Sequence, residues 1–214
     1  MSSAVVNGKP TVAEEVFQPI TIERLQKRVI EVPIVGVTPL IPHKWDEKAR
    51  RMLRDKHLGK AKGKLPPKDP AADAAGATYW LDDGRPGHPC TAFKSAIADA
   101  SRFFDKSVAA THLKQIVFVL GEGPEQLVPI EGEIEMFEAM PRNSGIGSTV
   151  DLRYRNKIWP WHAVLRVEFI ASQITAESLV NLIDASGNCG VGDWRPSSPK
   201  SKTGTFGRYQ VADQ

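Results

Sequence analysis

This 214-residue sequence lacks the features that mark several large classes of protein. It has no run of about 18 apolar residues, so no membrane-spanning helix is expected. Its N-terminus has no basic segment followed by an apolar one, which argues against a secretory signal and favours a loose arm over residues 1–19. The two cysteines, Cys90 and Cys189, are too few for a disulfide framework. A reduced, cytoplasmic setting fits best.

The sequence also lacks recognisable catalytic and cofactor motifs. Its five histidines are scattered, without the spacing of a four-ligand metal site. Neither GxxxxGK[ST] nor GxSxG nor HExxH occurs. Gly187, Gly190 and Gly192 follow a predicted helix, whereas the glycines of a dinucleotide-binding loop follow a strand. We therefore expect no metal, no cofactor and no enzymatic activity.

The charge, although small in total, is unevenly distributed. The net charge is +3, but residues 42–68 hold ten Lys or Arg against three Asp or Glu, a local net of +7. The rest of the chain is then −4. A basic segment on a mildly acidic body indicates a polyanionic partner, and the alternative is a solvated lysine-rich helix with a linker.

Hydrophobic patterning predicts an α+β fold with helices on one face of an antiparallel sheet. Residues 131–160 show no clear core segment and are expected to form an extended arm ending in the basic DLRYRNK. The other predicted elements are a strand over 28–41, a helix from 45 that decays into a mobile basic insertion up to about 77, a helix over 91–104 capped by Thr91, a strand over 115–120 with 127–130 as its hairpin partner, a strand over 161–171, a helix over 175–187 capped by Thr175, and a strand over 206–211.

Aromatic and basic residues alternate in three segments: HKW (43–45), RYRNKIWPWH (153–162) and GDWRP (192–196). Single-stranded nucleic acids need cations for phosphates and flat apolar faces for bases, so this pattern favours strand binding. For Trp80 and Trp161 a place in the core is the better interpretation. For Trp45, Trp159 and Trp194 both interpretations remain open.

Three segments resemble the RAMP superfamily, the ferredoxin-like backbone subunits of CRISPR effector complexes. They are VGVTPLI at the end of the first strand, DGRPGHPCTAFKSAIADASRF, and ESLVNLIDASGNCGVGDWRP with GTFGRY. The chain also looks like uncharacterised phage and prophage proteins. The resemblance implies a ferredoxin-like (RRM-like) domain over 20–211 with a thumb-like hairpin at 131–160. The mobile basic insertion at about 45–77 has no counterpart in the family.

The resemblance and the aromatic–basic segments together imply a protein that binds single-stranded nucleic acid, RNA rather than DNA, and oligomerises along it as a backbone subunit. The alternative is a phage structural or assembly protein that uses the same sheet for subunit contacts. A third interpretation, an RNA-cleaving subunit with Asp46 at the scissile phosphate, has no spacing to support it. The candidate nucleic-acid-binding residues are His43, Lys44, Trp45, Lys94, Arg102, Arg153, Arg155, Lys157, Trp159, Trp194, Arg195, Lys200, Lys202 and Arg208, with Gly190 and Gly192 for close backbone approach.

Overall fold

The computed structural model describes residues 20–45, 47–60, 67–105, 108–140, 152–199 and 203–213. The predictions that fall outside these residues concern the N-terminal arm (1–19), Asp46, Lys200, Lys202, and the segments 61–66 and 141–151 of the two insertions.

The described chain contains eight strands, five α-helices and one short 3₁₀-helix that follows α3. The elements are β1 (Lys27–Gly36), α1 (Glu47–His57), α2 (Pro70–Gly76), β2 (Tyr79–Trp80), β3 (Pro86–Pro89), α3 (Cys90–Asp99), the 3₁₀-helix (Ala100–Phe103), α4 (Ala110–Ile116), β4 (Val117–Leu120), β5 (Leu127–Pro129), β6 (Glu131–Ala139), β7 (Arg153–Ile170), α5 (Ala176–Ser186) and β8 (Tyr209–Val211).

The larger sheet has the strand order of a ferredoxin-like domain. Its four main strands lie in the order β4-β7-β1-β8, and each neighbouring pair is antiparallel. Helix α3 lies in the connection from β1 to β4, and α5 connects β7 to β8, so the chain forms two interleaved β-α-β units. The predicted α+β, ferredoxin-like fold is confirmed.

Side chains of the central strands alternate between a covered face and an open face. On the covered face, Ile34 of β1 and Leu165 of β7 are buried in one cluster with Phe93 of α3. On the open face, Val29 and Val164 are 51% and 49% exposed. Helices therefore cover one face of the sheet, as the hydrophobic pattern predicted.

The predicted pairing of residues 127–130 with 115–120 is wrong. Strand β5 pairs with β3 in a separate three-stranded sheet, and β4 pairs with β7. Only one bridge, between Glu122 and Leu127, closes the predicted turn. Residues 115 and 116, expected to begin a strand, instead end helix α4, which the sequence pattern did not predict.

The C-terminal part of the predicted mobile insertion is an ordered helix, which corrects the prediction. Helix α2 begins after Asp69, whose side chain accepts a hydrogen bond from the Ala72 N–H at 3.1 Å. Ala74 is buried, and the neighbouring Thr78 hydroxyl accepts a 3.0 Å hydrogen bond from Asn156 of β7. Small alanine side chains let the helix lie close to the strand, a role that an alanine-rich composition conceals.

Strand β6 and residues 153–158 of β7 form an antiparallel ribbon in the region predicted to lack core residues. The structure corrects that prediction, because Ile158 is fully buried and Asn156 nearly so. Residues beyond this point continue as the central part of β7, so one 18-residue strand belongs to both the ribbon and the main sheet.

The predicted N-cap is confirmed for helix α5 but is wrong for helix α3. Thr175 caps α5, because its hydroxyl accepts a hydrogen bond from the Ser178 N–H at 3.1 Å. Helix α3 begins one residue earlier than predicted, so Thr91 lies inside its first turn and does not cap it. The residue at the cap position is Pro89, which has no side-chain acceptor.

Candidate nucleic-acid interface

A groove of about 330 Å³ lies at the N-terminus of α3, and we call it the α3 groove. No side chain caps this helix end; the Cys90 N–H donates to the Gln126 carbonyl at 3.0 Å. The hydroxyls of Thr91 and Ser95 also line the groove. An uncapped helix N-terminus presents N–H groups and a partial positive charge, which together suit an anion.

Arg195 brings a cation to the α3 groove from the glycine-rich loop between α5 and β8. Its Nη1 donates to the Gly192 carbonyl at 3.0 Å, and its Nε donates to the Ser197 hydroxyl at 3.2 Å. These bonds hold the half-buried guanidinium in place while leaving other donors of the group for a ligand. The sequence prediction named Arg195 for phosphate contact.

His88, which the sequence analysis overlooked, forms part of the groove wall. It is 3% exposed, and its Nδ1 has no hydrogen-bond partner. Its ring makes T-shaped contacts with the rings of Tyr79 and Phe93. Burial, together with the positive charge of Arg195, lowers the pKa of His88 to about 3. The groove therefore has a neutral imidazole beside a cation. Its position in GHPC, directly before a helix, was the one available signal.

Asp193 contacts His43 and Arg155, two of the predicted nucleic-acid-binding residues. Its Oδ2 lies 3.2 Å from His43 Nδ1 and 4.0 Å from Arg155 Nε. Burial raises the pKa of Asp193, but the interactions with His43 and Arg155 outweigh it and leave that pKa below its ordinary value. The Asp193 N–H also donates to the Ile41 carbonyl at 2.8 Å, so this residue fastens the glycine-rich loop to its neighbours.

The glycines of this loop approach the chain's own backbone. Gly190 and Gly192 have φ angles of 69° and 81°, a region that favours glycine. A Cβ at Gly192 would lie 2.6 Å from the Ile41 carbonyl oxygen, and one at Gly190 would lie 2.9 Å from Pro196. Close internal packing therefore requires glycine at both positions, and Gly192 also lines the α3 groove.

Most of the other predicted cations have partners within the protein. The contacts are Lys44 Nζ to Glu125 at 2.9 Å, Lys157 Nζ to Glu135 at 2.6 Å, Arg102 Nη2 to Asp99 at 3.6 Å, Arg208 Nη2 to Asn188 at 3.0 Å, and Lys94 Nζ to the Phe118 ring centroid at 3.9 Å. Arg153 lies half-buried at the start of β7. These interactions reduce the positive charge that the predicted set presents to a ligand.

The five tryptophans have different environments. Trp161 is buried, and its Nε1 donates to the Thr38 carbonyl at 2.8 Å, as expected for a core residue. The prediction that Trp80 lies in the core is wrong, because this residue is 38% exposed, although its Nε1 donates to the Ala75 carbonyl. Trp45 and Trp159 are 55% and 40% exposed.

Trp194 belongs to a cluster of three aromatic rings rather than standing free. It is half-buried, and its ring centroid lies 6.1 Å from that of Phe137 and 6.3 Å from that of Phe206. Its φ of 51° is unusual for a residue with a side chain. The ring joins the glycine-rich loop to the ribbon, which occupies part of the surface that a base would use.

Several of the predicted residues thus gather in two regions, which Asp193 joins through its contacts with His43 and Arg155. His43, Gly192 and Arg195 meet at the α3 groove, and Tyr79 of its wall lies beneath the Lys44 ammonium, 5.4 Å from the ring centroid. The second region is the ribbon, which carries Arg153, Arg155, Lys157 and, directly after it, Trp159.

No protein-family model and no curated protein matches this chain. Solved structures that align with it include the crystal structure of Cmr6 from Pyrococcus furiosus, at 12% identity and a TM-score of 0.42, over 88% of this chain and 100% of that one. The cryo-EM structure of the Type III-B Cmr-beta complex bound to cognate target RNA aligns at 8% identity and a TM-score of 0.44, over 87% of this chain and 59% of that one. The ferredoxin-like arrangement follows from the strand order and connections described above.

Among the described residues, no helix is long and apolar enough to cross a membrane. The same residues contain no group of three or more His, Cys, Asp or Glu side chains that could hold a metal ion.

Proposed function

We propose that this chain binds single-stranded nucleic acid in the α3 groove, prefers RNA to DNA, and does so as one of several copies along a strand in the cytoplasm, without catalysing a reaction. The observation that carries the proposal is the meeting of the uncapped α3 N-terminus, the Arg195 guanidinium and the buried, neutral His88 at one groove.

The donors of the groove favour a phosphate, because its two carboxylates already have cationic partners: Asp99 pairs with Arg102, and Asp193 with His43 and Arg155. The N–H groups of the first helical turn and the guanidinium of Arg195 offer positive charge and hydrogen-bond donors from two directions. Because neutral histidine has one donor and one acceptor nitrogen, His88 and the Thr91 and Ser95 hydroxyls add groups that can accept as well as donate. A ribose 2′-hydroxyl needs both kinds of partner, which supports a preference for RNA.

Arg195→Ala should weaken binding of a mixed-sequence single-stranded RNA, because it removes a cation that neutralises a phosphate. We expect the slope of log K against log[salt] to become shallower by about 0.7, the value for one neutralised phosphate on a single strand. Fluorescence anisotropy across a salt series measures both quantities. The matched control is Arg85→Ala, since Arg85 is tied to Asp83 and Glu122 away from the groove.

If the two arginine variants are folded and change RNA affinity and its salt dependence equally, the α3 groove is not the binding site. If the unaltered chain does not bind single-stranded RNA at low salt, the proposed function is wrong. Tighter binding of DNA than of RNA of the same sequence would overturn the preference.

A protein-assembly role is the second candidate, and the open sheet face is the observation that favours it. Val29 and Val164 are about half exposed there. Val29 lies between the ion pairs Lys27–Glu168 and Glu31–Arg166, and Val164 lies beyond the second pair. Protein purified from cells would then form nucleic-acid-free rings or shells, whereas the first proposal expects nuclease-sensitive particles with a raised ratio of absorbance at 260 nm to that at 280 nm.

A further inference from the structure

Helix α1 exposes both an apolar and a basic surface. Met52 and Leu53 are 50% and 41% exposed, although the apolar stripe of a helix normally faces a core. Residues 47–57 hold five Lys or Arg against two Asp or Glu. Arg50 and Arg54 are exposed and form no ion pair with any described residue. A helix with this surface fits an acidic protein partner that also offers apolar side chains.

Strand β6 has the complementary composition. Its nine residues, EGEIEMFEA, include four glutamates and no cation. Ile134 and Met136, which lie between the glutamates, are 41% and 53% exposed. Glu133 and Glu138 are exposed and form no ion pair within the described part of the chain. In the same part of the chain β6 pairs only with β7, so the backbone of its other edge has no strand partner there.

We infer that α1 of one copy docks along β6 of a second copy of this chain. Arg50 and Arg54 of α1 would meet Glu133 and Glu138, while Leu53, which lies on the same side of the helix as Arg50, would cover Ile134 and Met136. Four carboxylates on β6 repel a nucleic-acid strand, so the chemistry of β6 calls for a basic protein surface. The inference deepens the proposed function, on which it rests for the strand that the copies would follow.

The two surfaces are different, so the contact is heterologous and each copy keeps one free surface of each kind. Such a contact extends into an open row of copies unless its rotation closes a ring. Within one chain, the described ion pairs of α1 join Asp55 to Arg51 and Lys60, and those of β6 join Glu131 to His162 and Glu135 to Lys157. None of them joins α1 to β6.

Charge-swapped variants test this contact by sedimentation velocity on nuclease-treated full-length protein, so that no strand links the copies. The unaltered chain should show a mass that increases with protein concentration at about 50 mM salt and falls toward the monomer at about 500 mM. Arg50→Glu/Arg54→Glu alone and Glu133→Lys/Glu138→Lys alone should each be monomeric. Mixing the two should restore association, because each basic surface then meets an acidic one.

Arg50→Lys/Arg54→Lys is the matched control and should associate like the unaltered chain; circular dichroism checks that every variant is folded. Unchanged association in Glu133→Lys/Glu138→Lys, or no recovery of association in the mixture, overturns the inference. The role of the glutamates would then be to prevent the edge of β6 from pairing with other strands. If Arg50→Glu/Arg54→Glu instead lowers RNA affinity and leaves association unchanged, α1 is a nucleic-acid contact and the inference fails. RNA anisotropy on the unaltered chain separates the outcomes, since association without RNA binding overturns only the proposed function.

Discussion

At the residue scale, His88 couples folding stability to pH. The buried imidazole has a pKa of about 3, whereas an exposed one titrates near 6.5. Between these values the unfolded chain binds a proton that the folded chain does not, so the free energy of unfolding falls as the pH is lowered from 6.5. His88→Gln should remove about 1.4 kcal/mol per pH unit from that dependence between pH 6 and 4.

Urea denaturation at several pH values measures this change in slope. The matched control is His57→Gln, because His57 is exposed on α1 and its replacement should leave the slope unaltered. A variant that lacks His88 but keeps the full pH dependence would show that other groups cause the acid sensitivity.

The roles of single residues were the least predictable part of the site. Lys44 and Glu125 are 81 positions apart, and local composition gives no sign that this lysine has an anionic partner. The sequence around Trp194 likewise gives no sign that its ring is partly covered. Its ring partners are Phe137, which is distant in sequence, and Phe206, which lies at the other end of the same loop. Arg195 does lie at the groove, because hydrogen bonds within its own loop determine its position.

At the element scale, α2 should contribute to folding stability. Ala74 is 2% exposed against the ribbon side of β7, whereas Ala71 of the same helix is exposed. Ala74→Leu should lower the free energy of unfolding by about 1–3 kcal/mol, because added methylenes strain a close-packed contact. Ala71→Leu should change it by less than about 0.5 kcal/mol. Equal unfolding midpoints in urea would show that α2 is not packed as described.

Elements with long apolar stripes were predictable, and short or small-residue elements were not. Helix α5 begins within one residue of its predicted start because Thr175 and the periodic Leu179, Leu182 and Ile183 all indicate the same helix. Helices α2 and α4 have seven residues each, too few for a helical period to show. The pairing of β5 with β3 depends on tertiary contacts that a local hairpin pattern cannot reveal.

At the scale of the whole molecule, the interleaved units predict a single cooperative unfolding transition. Strand β8 of the second unit pairs with β1 of the first, and β4 of the first pairs with β7 of the second. Neither unit can therefore complete its sheet alone. Urea curves followed by far-UV circular dichroism and by tryptophan fluorescence should coincide, since Trp161 lies in the shared core. Separate midpoints would indicate two independently folding parts.

Strand β7 also limits how this protein can change in evolution. One strand serves both the ribbon and the main sheet, and its register shift near residues 159–160 lets Ile158 and Leu165 both be buried although they are an odd number of positions apart. A further single-residue insertion or deletion inside 153–170 would turn every following side chain to the opposite face. Ile158 and Leu165 would then no longer both be buried. Lineages that lengthen or shorten this part of the chain are therefore expected to do so between residues 140 and 152, where one added residue leaves the alternation of β7 intact.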